Sequence, residues 1–213
     1  MSKKIYMIIK RVLDFLISAI LLILLIIPFI IVAIAIKLED GGPIFYKQKR
    51  VGKNLKLFEI NKFRTMKTNR KELEGNMTHE QMVTKVGKIL RKTSIDELPQ
   101  LINILRGEMS FIGPRPWIPE YYEWFTDEQK RRSEVLPGIS GLAQVKGRNK
   151  INIFKKINYD LEYVENISFL MDLKIVWLTI KEVLAKTGAE ASEQEIKLEI
   201  EDLKRNKQMS KCK

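Results

Sequence analysis

The chain has 213 residues, enough for one ordinary domain and an appendage. Lys and Arg number 38 against 26 Asp and Glu, a formal charge of +12, so an anionic partner is expected: nucleic acid, a phosphorylated substrate or an acidic membrane surface. One cysteine, Cys212, and one histidine, His79, exclude an intrachain disulfide, argue against a His/Cys zinc centre and leave a Ser-His triad resting on His79 alone; a reducing compartment is the simplest setting.

The first element is an apolar run, "VLDFLISAILLILLIIPFIIVAIAI", from Val12 to Ile36, with Asp14 its single charge. It is long enough to cross a hydrocarbon core of about 30 Å as a helix. It is too long for a signal-peptide core and no small-residue cleavage site follows it. Pro28 lies inside the run and should bend it. The flanks are both basic: Lys3, Lys4, Lys10 and Arg11 before, Lys37, Lys47, Lys49 and Arg50 after. The positive-inside rule then favours both ends on the cytoplasmic side, which a helix that enters, breaks near Pro28 and returns would satisfy. A kinked transmembrane anchor is the alternative that these residues leave open.

No later run approaches membrane length. "GGPIFYKQKRVGKNLKLFEINKFRTM" predicts two short strands around a Gly52-Lys53-Asn54 turn. "MVTKVGKILRKT" predicts an amphipathic basic helix with Val83, Val86, Ile89 and Leu90 on one face, and "LPQLINILRG" a short apolar helix ending at Gly107. Both faces suit a membrane surface or an ordinary core, and the pattern alone leans to the core. "GPRPWIPE" and "LPGISGLAQVKGRN" read as loops. Phe169, Leu170, Leu173, Val176, Trp177, Ile180 and Leu184 recur at helical spacing and predict a core-facing helix. After Gly188 the chain turns polar; Ile196, Ile200 and Leu203 at i, i+4 and i+7 suggest a peripheral helix or a partly disordered tail.

Chemistry concentrates in "RKTSIDELPQ". Ser94 to Glu97 has the form of a capping box, but Pro99 would fall where a helical amide is needed. A helix beginning at Pro99 is the better reading. Asp96 and Glu97 then lie just before it, near its positive end, where anions are also drawn. Arg115 between two prolines, Arg148 in "KGRN", and Lys62 and Arg64 in "NKFRTM" are cations carried on loops. Each alone is most simply a solvated charge. Together, carboxylates able to hold Mg²⁺ and several loop cations point to phosphoryl chemistry at a membrane face.

At these residues the chain resembles the small monotopic phosphoglycosyl transferases, the bacterial sugar transferase family that starts lipid-linked glycan assembly. The resemblance runs from Lys10 to about Gly188 and is carried by "KRVLDF", "KFRTM", "SIDELPQLINILRGEMSFIGPRP", "PGISGLAQVKGRN" and "NISFLMDLKIVWLT". It implies transfer of a phospho-sugar from a UDP-sugar to polyprenyl (undecaprenyl) phosphate, with release of UMP, Mg²⁺ as cofactor and a covalent enzyme intermediate. By resemblance Asp96 is the nucleophile and Glu97 its partner in metal organisation or proton handling. Lys62, Arg91, Arg115, Arg148 and Asp160 take phosphate, nucleotide or structural roles. A re-entrant helix-break-helix at Pro28 is implied too, although Ile27 stands where the family often has a small polar residue.

The fold expected is α+β and mostly helical. It comprises an N-terminal re-entrant membrane helix-break-helix (1–37), a cytosolic catalytic domain at the membrane interface with interfacial amphipathic helices and a short β-hairpin (38–188), and a charged tail (189–213). The expected setting is the bacterial inner membrane with the catalytic domain on the cytoplasmic face. UDP-sugar, polyprenyl phosphate and membrane lipid are the expected partners, with self-association left open. The competing reading is a membrane-anchored basic protein that binds anionic lipid or nucleic acid without catalysis, but no nucleic-acid motif is visible. Which sugar is transferred is not written in these residues.

Overall fold

The computed structural model describes residues 2–68, 81–147, 151–184 and 193–211. Arg148, His79, Cys212 and the boundary at Gly188 lie outside them. The apolar run forms two helices, α1 (Lys3–Leu24) and α2 (Ile26–Asp40), bent by 61° about Leu25. The break falls one turn before Pro28, and the proline explains why. Pro28 is the third residue of α2; it offers no N–H, and its ring crowds the carbonyl four residues back, that of Leu24. No single helix among the described residues is long and apolar enough to cross a membrane, whereas the bent pair passes together by length and composition.

A hairpin follows. Strands β1 (Phe45–Val51) and β2 (Leu57–Phe63) pair antiparallel, from Phe45 opposite Phe63 to Val51 opposite Leu57. The connection is a 3-10 turn over Lys53–Leu55, so the expected turn is found with Leu55 drawn into it. Next come α3 (Lys85–Thr93) and α4 (Gln100–Arg106), the latter closed by Gly107 at φ 81°, a left-handed value suited to glycine. Strand β3 (Ser110–Ile112) pairs parallel with β4 (Gly138–Ser140), and α5 (Pro119–Tyr122), α6 (Asp127–Lys130) and α7 (Leu142–Val145) are single turns. The two segments read as loops contain β4, α7 and the start of α5, and further short elements lie between and before them. Elements this brief leave no periodic signature among Gly and Pro.

Two long helices, α8 (Ile153–Glu165) and α9 (Phe169–Leu184), precede α10 (Glu193–Lys211). Several apolar clusters hold the parts together. Leu21, Leu22 and Leu25 pack with Ile60, Leu101, Ile104 and Met109; Phe29, Val32 and Ile36 pack with Phe63 and Leu90. The inner sides of the bent pair therefore seat on β2, α3 and α4. The outer sides stay bare, with Ile23 67% and Ile27 70% exposed.

The expectation for α9 is overturned. Phe169, Leu170, Leu173, Val176, Trp177 and Ile180 are all exposed, Leu170 at 75% and Trp177 at 59%. The inward side is instead built by Asp172 and Ile175, with Thr179 hydrogen-bonded to Ser140. Asp172 accepts from Lys10 Nζ (2.6 Å), Tyr6 (2.6 Å) and Tyr163 (2.7 Å), a buried polar knot that joins α1 to α9. Periodicity reveals an apolar face; it does not say what covers it. In α3, likewise, Leu90 is buried while Ile89 is exposed.

Candidate active site

The dyad region is built by three adjoining segments. α3 ends at Ser94, which sits at φ 57° as its C-cap rather than as the N-cap of a capping box. Ile95–Glu97 then form a 3-10 turn that runs through Leu98 and Pro99 into α4, with successive i to i+3 bonds from Leu98 N to Ile95 O (3.1 Å) and Leu101 N to Leu98 O (3.0 Å). Asp96 and Glu97 thus precede α4, whose first turn begins one residue later than expected, at Gln100.

Lys62 lies within β2, not after it, and its Nζ donates to Glu97 Oε1 at 3.0 Å. Arg115 donates from Nη2 to the same oxygen at 3.2 Å. The strand and the "GPRP" segment thereby meet the dyad turn on one carboxylate. Burial pushes the Glu97 carboxyl up, but Lys62 and then Arg115 outweigh burial and hold it well below the usual carboxylate range. These two cations meet Glu97 directly, and both lie on segments distant from it in the chain. Asp96, beside it in the chain, is 5% exposed.

The remaining expected residues fall at different distances from this centre. Arg91 donates from Nε to Thr65 Oγ1 (2.9 Å), joining α3 to the segment leaving β2. Gly87 lets that contact form: a Cβ there would meet the Thr65 carbonyl oxygen at 2.1 Å. Asp160 is 1% exposed and its carboxylate meets the buried Arg132 guanidinium at 2.6 Å. Arg148 lies outside the described residues.

Several positioning groups escaped the sequence reading. Asn103, fully buried, accepts from Asn61 N and Nδ2 (3.0 Å each) and donates to Glu59 O (2.7 Å), which locks β2 and its Lys62 onto α4. Arg11 of "KRVLDF" donates to the Ile104 and Leu105 carbonyls at the end of α4 (2.7 and 3.1 Å). Glu39 accepts from Lys85 N and Val86 N at the start of α3, and Asp40 pairs with Arg64. Arg132 donates to the Arg115 carbonyl at 2.7 Å. Of these, Arg11, Arg64 and Asn103 lie in the motifs that carry the resemblance, "KRVLDF", "KFRTM" and "SIDELPQLINILRGEMSFIGPRP".

A family model described as bacterial sugar transferase matches residues 5–186. The chain is 46% identical over 184 residues to "Uncharacterized sugar transferase EpsL" of Bacillus subtilis, covering 85% of this chain and 90% of that protein. It is 38% identical over 194 residues to "Undecaprenyl-phosphate glucose phosphotransferase" of Komagataeibacter xylinus, covering 84% of this chain and 36% of that protein. It is 39% identical over 168 residues to "Undecaprenyl-phosphate galactose phosphotransferase" of Salmonella typhimurium, covering 71% of this chain and 35% of that protein. The chain belongs to the bacterial sugar transferase family. It is an enzyme of the phosphoglycosyl transferase class.

Proposed function

We propose that the protein transfers a phospho-sugar from a UDP-sugar to polyprenyl (undecaprenyl) phosphate in two displacements at one site. An Asp96 carboxylate oxygen attacks the phosphorus that bears the sugar, and the bond from that phosphorus to the UMP oxygen breaks. UMP leaves, and Asp96 holds the phospho-sugar. A polyprenyl phosphate oxygen then attacks the same phosphorus, the bond to Asp96 breaks, and polyprenyl-diphosphate-sugar departs with the carboxylate restored. The observation that carries this reading is the convergence of Lys62 and Arg115 on Glu97, immediately beside Asp96. Two cations at one carboxylate are poised to meet diphosphate charge as it shifts toward the leaving group.

The residues fit Mg²⁺ in its usual manner of one or two carboxylates completed by substrate phosphates. Among the described residues no group of three or more acids gathers, so Asp96 and Glu97 would hold it with help from the donor diphosphate. When bound, the ion would supply Lewis-acid stabilisation of phosphate charge. Glu97, kept ionised by Lys62 and Arg115, orients those cations.

Membrane seating supports the lipid acceptor. The bent α1–α2 pair and the bare face of α9 both present apolar side chains outward, and Lys174 and Lys181 lie on α9 among them, as at an interface with acidic headgroups. In this reading the bent pair is re-entrant in the bacterial inner membrane and the catalytic part faces the cytoplasm. The test is UMP release with a UDP-sugar, polyprenyl phosphate and Mg²⁺. Asp96→Asn is expected to abolish it; a rate near wild type would remove Asp96 from the nucleophile role. A panel of UDP-sugars run on the wild type identifies the donor.

A further inference from the structure

The segment that presents Arg115 is held from behind. Arg132, 2% exposed, donates to the Arg115 carbonyl, to the Tyr122 hydroxyl (2.6 Å) and twice to Asp160 Oδ2 (2.9 and 2.6 Å). Its guanidinium carbon lies 4.2 Å from the centre of the Trp117 ring. Trp117, two residues past Arg115, belongs to a buried cluster with Tyr121, Phe125, Ile153 and Ile157. The last member of that cluster is Leu203 of α10, 1% exposed.

α10 is fastened to the same elements by polar contacts. Glu199 accepts from the Tyr121 hydroxyl (2.6 Å) and from Lys156 of α8. Lys204 lies 4.8 Å from the centre of the Trp124 ring, and Lys207 donates to the Glu123 carbonyl (2.6 Å). All of these α10 residues lie beyond residue 186, where the family match ends. A helix outside the family-wide part of the chain therefore closes the floor beneath a residue that touches Glu97.

We propose that α10 is a positioning element for Arg115: Leu203 and Glu199 clamp the Trp117–Tyr121 floor and so hold the Arg115 guanidinium on Glu97. In its kinetic part the proposal rests on the phosphoglycosyl transfer reading above. Shortening Leu203 removes a wall of the cluster, and Trp117 with its neighbour Arg132 gains room to shift. Displacement of about 1 Å at a charge-stabilising group is enough to cost about tenfold or more in turnover.

The experiment uses the full-length protein in detergent or lipid nanodiscs and compares wild type, Leu203→Ala and Leu203→Met. Hydrogen exchange is followed over residues 113–118 and over residues 57–63, and UMP release is followed with saturating UDP-sugar. Leu203→Ala is expected to speed exchange at 113–118 and leave 57–63 unchanged. It should lower kcat about tenfold with a smaller change in KM, and Leu203→Met should restore both. On an Arg115→Lys background, Leu203→Ala should add little further loss, because the two changes act on one contact. Equal fractional losses on both backgrounds, or exchange at 113–118 unchanged, overturn the proposal. Should Leu203→Ala fail to fold, Glu199→Ala carries the same comparisons with a smaller effect. If the wild type releases no UMP from any UDP-sugar, the transfer reading has failed, and exchange at 113–118 alone decides for or against the clamp.

Discussion

Glu97 Oε1 accepts from both Lys62 and Arg115, with side-chain exposures of 12% for Glu97 and 9% for Lys62. A carboxylate so placed is bound more tightly in its charged form when folded, so its folded pKa lies below the ordinary value of 4.5. The sign of the linkage follows: the stability it contributes is present above that ordinary value and is lost as pH falls through the lower folded one. The melting-temperature gap between wild type and Glu97→Gln is therefore expected to hold steady from about pH 8 to about pH 5 and to narrow in more acid solution. Calorimetry across that range checks it, and a gap already narrowing near neutrality would contradict the assignment. At the same scale, the Asp160–Arg132 pair is a buried contact whose loss of one partner would strand the other charge.

Elements show how one pattern serves two environments. α9 has a regular apolar stripe, yet its buried side is the one carrying Asp172 and Ile175. The stripe is left facing outward, as an interfacial helix would leave it. A Leu173→Ser, Trp177→Ser double variant separates the two readings. If the stripe meets lipid, the melting temperature in detergent changes little, since exposed substitutions away from special features shift stability by about 0.5 kcal/mol or less. Co-flotation with acidic vesicles should fall at the same time. A large loss of stability with unchanged flotation would return the stripe to a protein core.

For the whole molecule, the bend at Leu25 and the basic flanks bear on how the chain meets a membrane. α2 ends in Glu39 and Asp40, which bind the start of α3 and Arg64, while α1 is tied by Lys10 and Tyr6 to α9. Both arms of the pair are thus anchored to the same body, which favours ends on one side. Tags at the N- and C-termini are expected to be labelled from the same side of inverted vesicles. In Pro28→Ala the N–H missing from α2 is returned and the crowding of Leu24 relieved, so the two helices can join and the tags separate to opposite sides. Opposite labelling in the wild type would rule out the re-entrant arrangement.

The residues alone determined a good deal. The apolar run with its proline, the hairpin, the short helix ending at Gly107 and the dyad just before it were all legible, because each depends on local periodicity, a turn residue or a missing amide. Family motifs identified the class of enzyme. The brief β3–β4 pairing, the outward stripe of α9 and the docking of α10 were not legible. Each is decided by which surface another element covers, and periodicity carries no record of that. The same holds within the site. "SIDELPQ" nominates Asp96 and Glu97, but that Lys62 from a strand and Arg115 from a proline-bounded segment share one Glu97 oxygen, while Asp160 pairs with Arg132, is settled only by tertiary packing. Charges separated by many residues in the chain pay for their desolvation only when the fold brings their partners within hydrogen-bond distance.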